Sequence, residues 1–420
     1  MSKPRRQRVL DALAHTLPDA IPVDFGSTAV TGMHVRAVAI LRAHFGLEPR
    51  PVKVCEPYQM LGEIEDDLLD AIGIDTVGLV GPSTIFGFRN QGWKPFTAPW
   101  QQELLVPAAF ETTLDSNGDL LIFPQGDRVA PPSGRMPVGG YFFDTIVRQP
   151  PIDDDSLDPK DNLEEFAILD ADALAWYRLE ANRLRGCGRA VVGGVPGTGF
   201  GDIALVPAPF LKHPKGIRDV AEWYMSTATR QGYLHAVFEK QCAIALQNLA
   251  LVNDVIGDVI DVLFFCGTDF GTQTSQFCST ATFEELYAPY YRVLNRWIHE
   301  HTAWKTFKHS CGAVLPFIEP FIECGFDILN PVQCSATGME AATLKERFGD
   351  RIVFWGGGVD TQGTLPFGTP AQIRDEVRRR CEIFGPGGGF VFDAIHNIQA
   401  DTPRPNLIAL VEAIREVNGV

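Results

Sequence analysis

Eight short apolar runs, rich in β-branched and aromatic residues and ending in Gly, Asp or Asn, recur along the chain with segments of helical period between them. They are 21–26 (IPVDFG), 75–81 (DTVGLVG), 189–194 (RAVVGG), 259–267 (VIDVLFFCG), 304–311 (WKTFKHSC), 326–331 (FDILNP), 352–357 (IVFWGG) and 389–395 (GFVFDAI). Continuous rather than alternating hydrophobicity marks strands covered on both faces, and such strands are parallel, with crossover helices packed over them. Eight of them alternating with helices predict an α/β chain folded as a (β/α)8 TIM barrel.

The intervening segments carry helix signals of their own. Thr282-Phe-Glu-Glu285 reads as a capping box, and Thr369-Pro-Ala-Gln372 opens a second helix with Pro at its first position, stopped by the Gly-rich run at 385–389. The gap of ~110 residues between the second and third strands is too long for one crossover. Within it, residues 103–147 alternate with period two around 115–118 (DSNG), a hairpin turn, and Pro/Gly-rich stretches follow. The chain therefore reads as one barrel domain over 1–420, with a β-rich cap inserted between strands two and three at about 95–160.

Composition excludes several functions. A formal charge of −16, from 52 acidic against 36 basic residues, disfavours nucleic acid and anionic membranes as partners. No stretch of ~18 apolar residues offers a membrane span, and charges interrupt the first nineteen residues where a signal peptide would be apolar. Nine scattered cysteines without disulfide spacing suit a reducing cytosol, so a cytoplasmic protein is expected. Oligomeric state is left open, a homodimer included.

In a barrel of this kind the reacting groups stand at the C-terminal ends of the strands, because those ends converge on one mouth. Reading them yields Asp24, His34, Asp269, His309, Cys311, Asn330, Gln333, Asp360, Asp393 and His396. His309 and Cys311 lie two apart in an extended segment and so point the same way. His396, just after strand eight, faces the same mouth and supplies a third donor. Two histidines and a thiolate hold zinc while leaving one tetrahedral position open, as catalysis by the ion requires. The competing reading is coincidence among nine cysteines and nine histidines. Asp269, Asp360 and Asp393 are the candidate acid–base groups, although Asp360 has an equal claim as a helix cap. Asp24, His34, Asn330 and Gln333 are the candidate substrate-binding residues. The run 193–201 (GGVPGTGFG) lacks the Lys-Ser/Thr of a P-loop and a G-x-G-x-x-G with its helix, which argues against nucleotide binding.

With these residues placed, the chain resembles the uroporphyrinogen decarboxylase superfamily, and within it the zinc-dependent corrinoid methyltransferase branch. The resemblance runs from about residue 20 and is carried by HSCG at 309–312, NPVQ at 330–333, FWGGGVDTQ at 354–362 and HNIQADTP at 396–403. In that branch zinc is held by a His-x-Cys pair and a distant Cys six residues before a Thr-Pro; the corresponding position here, before Thr402-Pro403, is His396. One thiolate in place of two leaves the zinc centre at net +1, a stronger Lewis acid. That charge favours polarising the leaving oxygen, nitrogen or sulfur of a methyl donor, and hence demethylation onto a reduced corrinoid, over methylation of a thiol. The chain contains no D-x-H-x-x-G corrinoid motif, so the resemblance implies a corrinoid (cobalamin) supplied by a separate protein. Two alternatives remain. One is a metal-free carboxy-lyase of the uroporphyrinogen decarboxylase type, although the stretch 22–34 lacks the arginines with which such enzymes bind substrate carboxylates. The other is a non-catalytic scaffold braced by zinc.

Overall fold

The computed structural model describes residues 3–420, with every side chain among them except that of Cys266. In chain order the strands are β1 (Val52–Glu56), β2 (Leu61–Gly62), β3 (Thr76–Leu79), β4 (Lys94–Thr97), β5 (Glu103–Val106), β6 (Thr112–Leu114), β7 (Leu120–Ile122), β8 (Gly134–Met136) and β9 (Asp144–Thr145). There follow β10 (Ala190–Gly194), β11 (Val262–Gly267), β12 (Lys305–His309), β13 (Ile328–Asn330), β14 (Val353–Trp355) and β15 (Phe390–Val391).

Seven of these form one parallel sheet in the order β15-β14-β13-β12-β11-β10-β3. Each falls inside one of the apolar runs of the sequence. The eighth run, 21–26, closes the sheet between β15 and β3: Val23 bridges Phe392 in parallel, Asp24 N–H donates to Phe392 O at 2.8 Å, and Asp75 N–H donates to Val23 O at 2.8 Å. It makes a bridge rather than a full ladder, since Pro22 has no N–H to give. The barrel interior is filled by Ala190, Val192, Val262, Phe307, Ile328, Val353, Trp355 and Val391. Its bottom is plugged by Val9, Ala12 and Leu13 of the N-terminal helix Arg5–Leu13. A larger apolar layer lies between the strands and the surrounding helices. Among the described residues no helix is long and apolar enough to cross a membrane, and eight cysteines are free.

The insertion between the second and third barrel strands is β-rich as expected. Asp115 Oδ1 accepts from Asn117 N–H and Asp119 N–H, and Gly118 takes φ +85°, so the DSNG turn joins β6 to β7 in an antiparallel sheet with β8 and β9. The second cap sheet, β2-β1-β5-β4, reaches outside the expected boundaries, because β5 pairs in parallel with β1 from the segment before strand two. One helix start also differs from expectation. The helix Thr280–Leu286 is capped by Ser279, whose hydroxyl accepts from Thr282 N–H, so Thr282 lies inside the helix and opens no capping box. The expected box at Thr369 and Gln372 is present at the start of Pro370–Phe384.

Candidate metal centre

The pleat of β12 decides what faces the mouth. Phe307 points into the barrel, so His309 does as well and Lys308 points out toward the helices. The Lys308 ammonium lies 5.2 Å from the Phe270 ring centroid and 5.5 Å from that of Tyr291, and donates to Thr268 O and His309 O at 2.9 and 2.8 Å. It thus ties together the ends of β11 and β12. Beyond the strand end Gly312 takes φ +89°, and a Cβ there would stand 2.5 Å from Gly271; only glycine lets the His-Ser-Cys segment pack so closely on the β11 loop.

The ligand atoms of His309, Cys311 and His396 lie within 4.8 Å of one another. Cys311 Sγ is 3.4 Å from His309 Nε2, and the two imidazoles meet edge to face with centroids 5.5 Å apart. Tetrahedral zinc with bonds of ~2.0–2.3 Å puts its ligand atoms roughly 3.3–3.6 Å apart. The first pair already has that spacing, and the whole trio reaches it with a closure of about 1 Å, so the residues fit the ion.

Groups around the trio orient it. His309 Nδ1 faces Asn330 Oδ1 at 2.5 Å, and the Asn330 amide donates to Trp355 O at 2.9 Å. The amide oxygen is therefore the end turned to His309, which puts the ring proton on Nδ1 and leaves Nε2 free to ligate. His396 accepts from Asn397 N–H at 2.8 Å through Nδ1. The Asn397 side chain in turn accepts from Gly32 N–H at 2.5 Å and donates to Ala29 O and Gln59 Oε1, stitching the strand-eight loop to the loop after strand one and to the cap. Burial lowers both histidines to about 4, keeping them in the neutral, ligating form at neutral pH. Burial and the neighbouring Asp269 carboxylate push the Cys311 thiol well up, so the positive charge of a bound cation is what this site needs to hold a thiolate.

The structure places the other sequence-derived residues as follows. Asp269 adjoins the trio, its Oδ1 accepting from Cys311 N–H at 2.7 Å. Gln333 accepts from Gly312 N–H at 2.8 Å and donates to Gln273, bracing the same turn. Asp393 and Asp24 are buried together, the Asp24 charge raising the Asp393 carboxyl, and neither hydrogen-bonds a member of the trio. Asp360 accepts from Gln362 N–H at 3.0 Å and so caps its own turn. His34 is the N-cap of the helix Val35–His44. Its Nδ1 accepts from Arg36 N–H, its Nε2 bonds Tyr141 O at 3.0 Å, and its ring packs by Trp100, so it joins barrel to cap. Sequence reading missed Asp202. Its carboxylate accepts from Gly267 N–H at 2.8 Å and Ala204 N–H at 2.9 Å, on the rim beside His309. The available signal was an acid in the Gly-rich loop after strand three, a loop weighed only for nucleotide binding.

Residues 215–417 match the uroporphyrinogen decarboxylase (URO-D) family, a span that holds β11 to β15 and all three candidate ligands. Among curated proteins, the uroporphyrinogen decarboxylase of Psychromonas ingrahamii is 35% identical over 89 residues, 20% of this chain and 24% of that protein. The one from Erwinia tasmaniensis is 32% identical over 89 residues, again 20% and 24%. The matched segment spans about a quarter of these relatives' length. Among solved structures, a methyltransferase from Methanosarcina mazei aligns over 98% of both chains with a TM-score of 0.54 at 16% identity, which shows a shared fold.

Proposed function

We propose that this chain, which carries a URO-D family domain over residues 215–417, is a zinc-dependent methyltransferase that takes a methyl group from a small O-, N- or S-methyl donor and passes it to a corrinoid held by a separate protein. The observation that carries this reading is the convergence of His309, Cys311 and His396 at the mouth, a three-donor set that fits zinc and leaves its fourth position for substrate. When bound, zinc supplies a Lewis-acid charge that polarises the atom bearing the methyl group. Two neutral imidazoles and one thiolate leave that charge at net +1.

The chain's own residues do the rest. Asn330 keeps His309 in its ligating tautomer, Asn397 holds the His396 loop, and Gln333 with Asp269 fixes the backbone on either side of Cys311. Asp269, which accepts from Cys311 N–H, and Asp393, on the strand end that leads to His396, are the acid–base candidates; Asp360, which caps its own turn, and Asp24 and His34, whose side chains are engaged in hydrogen bonds, shape the walls. The free thiols fit a reducing cytoplasm.

A metal-free decarboxylase is the second reading, supported by the names of the curated relatives. Against it stand the absence of arginine in 22–34 and the carboxylates that line the mouth, since a polyanionic porphyrinogen requires cationic partners. The deciding experiment is the zinc content of the metal-replete wild type beside His309→Ala, Cys311→Ala and His396→Ala, all checked for retained fold. About one zinc per chain, lost in each variant, is expected. A folded wild type without zinc overturns the methyltransferase reading and leaves the decarboxylase.

A further inference from the structure

Asp393 is 1% exposed, and neither of its carboxyl oxygens has a hydrogen-bond partner among the described residues. It stands two residues beyond Val391, which points into the barrel, so it too points inward, on the same strand end that leads to the His396 ligand. The charged group facing it is Asp24, from the run 21–26. Four donors converge on Asp24: Ser27 N–H at 3.1 Å, Ser27 Oγ at 2.7 Å, Thr76 Oγ1 at 2.6 Å and Trp355 Nε1 at 2.9 Å. All of them are uncharged, and no Lys, Arg or His of the described residues bonds either carboxyl. A native fold does not leave both oxygens of a buried carboxyl idle without reason.

Resting on the methyltransferase reading above, we infer that Asp393 is the proton donor to the substrate's leaving atom, and that the substrate is therefore an uncharged methyl ether or thioether rather than a quaternary ammonium or sulfonium ion. The methyl–oxygen or methyl–sulfur bond breaks, the methyl passes to the reduced corrinoid acceptor, and the electron pair left on the heteroatom takes the Asp393 proton. Asp393 is left ionised until solvent restores the proton. An onium donor releases a neutral amine or sulfide and needs no such proton. The division of labour within the pair follows from the donors around it: four hydrogen bonds favour the charged form of Asp24, whereas Asp393 has only the adjacent Ala394 N–H nearby, outside hydrogen-bond geometry, so the single proton rests on Asp393. Burial first and the Asp24 charge second push the Asp393 carboxyl well above the usual carboxylate range, in keeping with that role.

The test uses the full chain, with zinc content measured on the same samples. At neutral pH the infrared spectrum of wild type is expected to show the C=O stretch of a buried protonated carboxyl, absent in Asp393→Asn and, should that variant fold poorly, in Asp393→Ser. Phenol or ethanethiol, stand-ins for the demethylated leaving group, are expected to shift this band, and transfer from anisole to cob(I)alamin is expected to fall about 100-fold or more in Asp393→Asn. A band that is missing, that survives in both variants, or that neither probe moves overturns the inference. A sample with the band but no zinc overturns the metal reading and leaves the acid in place; zinc without the band does the reverse.

Discussion

The two ends of the barrel both bury aspartates, and they treat them in opposite ways. At the N-terminal ends of the strands, Asp261 meets the Arg6 guanidinium at 2.9 Å and accepts from Val191 N–H, Asp75 meets Arg8 at 3.4 Å and accepts from Val23 N–H, and Asp327 meets His299 at 2.8 Å and Lys305 at 3.0 Å. Every one has a cationic partner, and together they fasten the N-terminal helix and close the barrel's floor. At the C-terminal ends, Asp24, Asp202 and Asp269 hydrogen-bond only backbone and neutral donors, with the Lys308 charge acting on Asp202 and Asp269 from farther off, and Asp393 has no hydrogen-bonded partner; burial raises all four carboxyls, as it raises Asp75 to about 6 despite its arginines. A fold that gives its acids hydrogen-bonded cations at one end and only neutral hydrogen-bond donors at the other leaves the second end the better suited to chemistry. On the reading proposed above, a divalent cation and a polar substrate would supply the partners.

The comparison is broken most forcefully at the ligands. His309→Ala, Cys311→Ala and His396→Ala are each expected to lower methyl transfer by about a thousandfold or more while the metal-free protein stays folded, at a cost of about 1–3 kcal/mol for truncating a buried side chain. Next in size is Asp261→Asn, which deprives Arg6 of its partner and weakens the acceptor for Val191 N–H. Arg6 is half-exposed, so the loss falls below that of a fully buried pair, at about 2–3 kcal/mol in urea unfolding, with kcat of the folded fraction unchanged. If Asp261→Asn instead impaired turnover at unchanged stability, the division between the two ends would be wrong.

The barrel and its mouth are legible in the residues themselves; the paired acids of its floor are not. The eight apolar runs marked every barrel position, because strands covered on both faces must be continuously apolar, and the strand ends then placed His309, Cys311 and His396 together before any contact was seen. What was illegible depended on non-local partners. The pairing of β5 with β1 joins segments some fifty residues apart and leaves no periodic trace in either. Ser279 takes the cap from Thr282 because tertiary packing extends the helix by a turn. Asn330 reads as a substrate ligand from its place at a strand end, and only its two hydrogen bonds reveal that it serves His309. The isolation of the Asp393 carboxyl is likewise a property of its surroundings, since an aspartate that ends a strand looks the same in sequence whether or not donors reach it.

The pH dependence of stability sharpens the contrast, since buried groups at the mouth titrate with both signs. His34 has its pKa lowered to about 4 by burial, against an ordinary value of 6.5, so the folded state holds the ring neutral where the unfolded state would charge it. The stability this ring contributes is present above about pH 6.5 and is lost as pH falls toward about 4, by about 3 kcal/mol. His309 and His396 act with the same sign. Asp393 acts oppositely: its raised pKa makes the folded state keep a proton that the unfolded state gives up, so its contribution is lost as pH rises above the ordinary carboxylate range. Urea unfolding followed against pH is expected to show a shallower acid limb in His34→Gln and a shallower alkaline limb in Asp393→Asn. Identical limbs in wild type and both variants would remove titration at the mouth as a determinant of stability.

The smallest expected effect lies one step behind the metal. Asn330→Ala leaves all three ligands in place but removes the oxygen that holds the His309 Nδ1 proton, and with it the preference for a ligating Nε2. Cys311 and His396 do not depend on that amide, so zinc affinity, read by competition with a chromophoric chelator, is expected to weaken by about tenfold rather than be abolished. The variant also tests whether the mouth is built around a metal at all. A binding scaffold would register the loss of a fully buried amide only as lower stability, whereas a metal centre registers it as faster zinc release with the fold retained. Zinc release at the wild-type rate from folded Asn330→Ala would mean that the His309–Asn330 hydrogen bond is a packing feature and not a device for holding the metal.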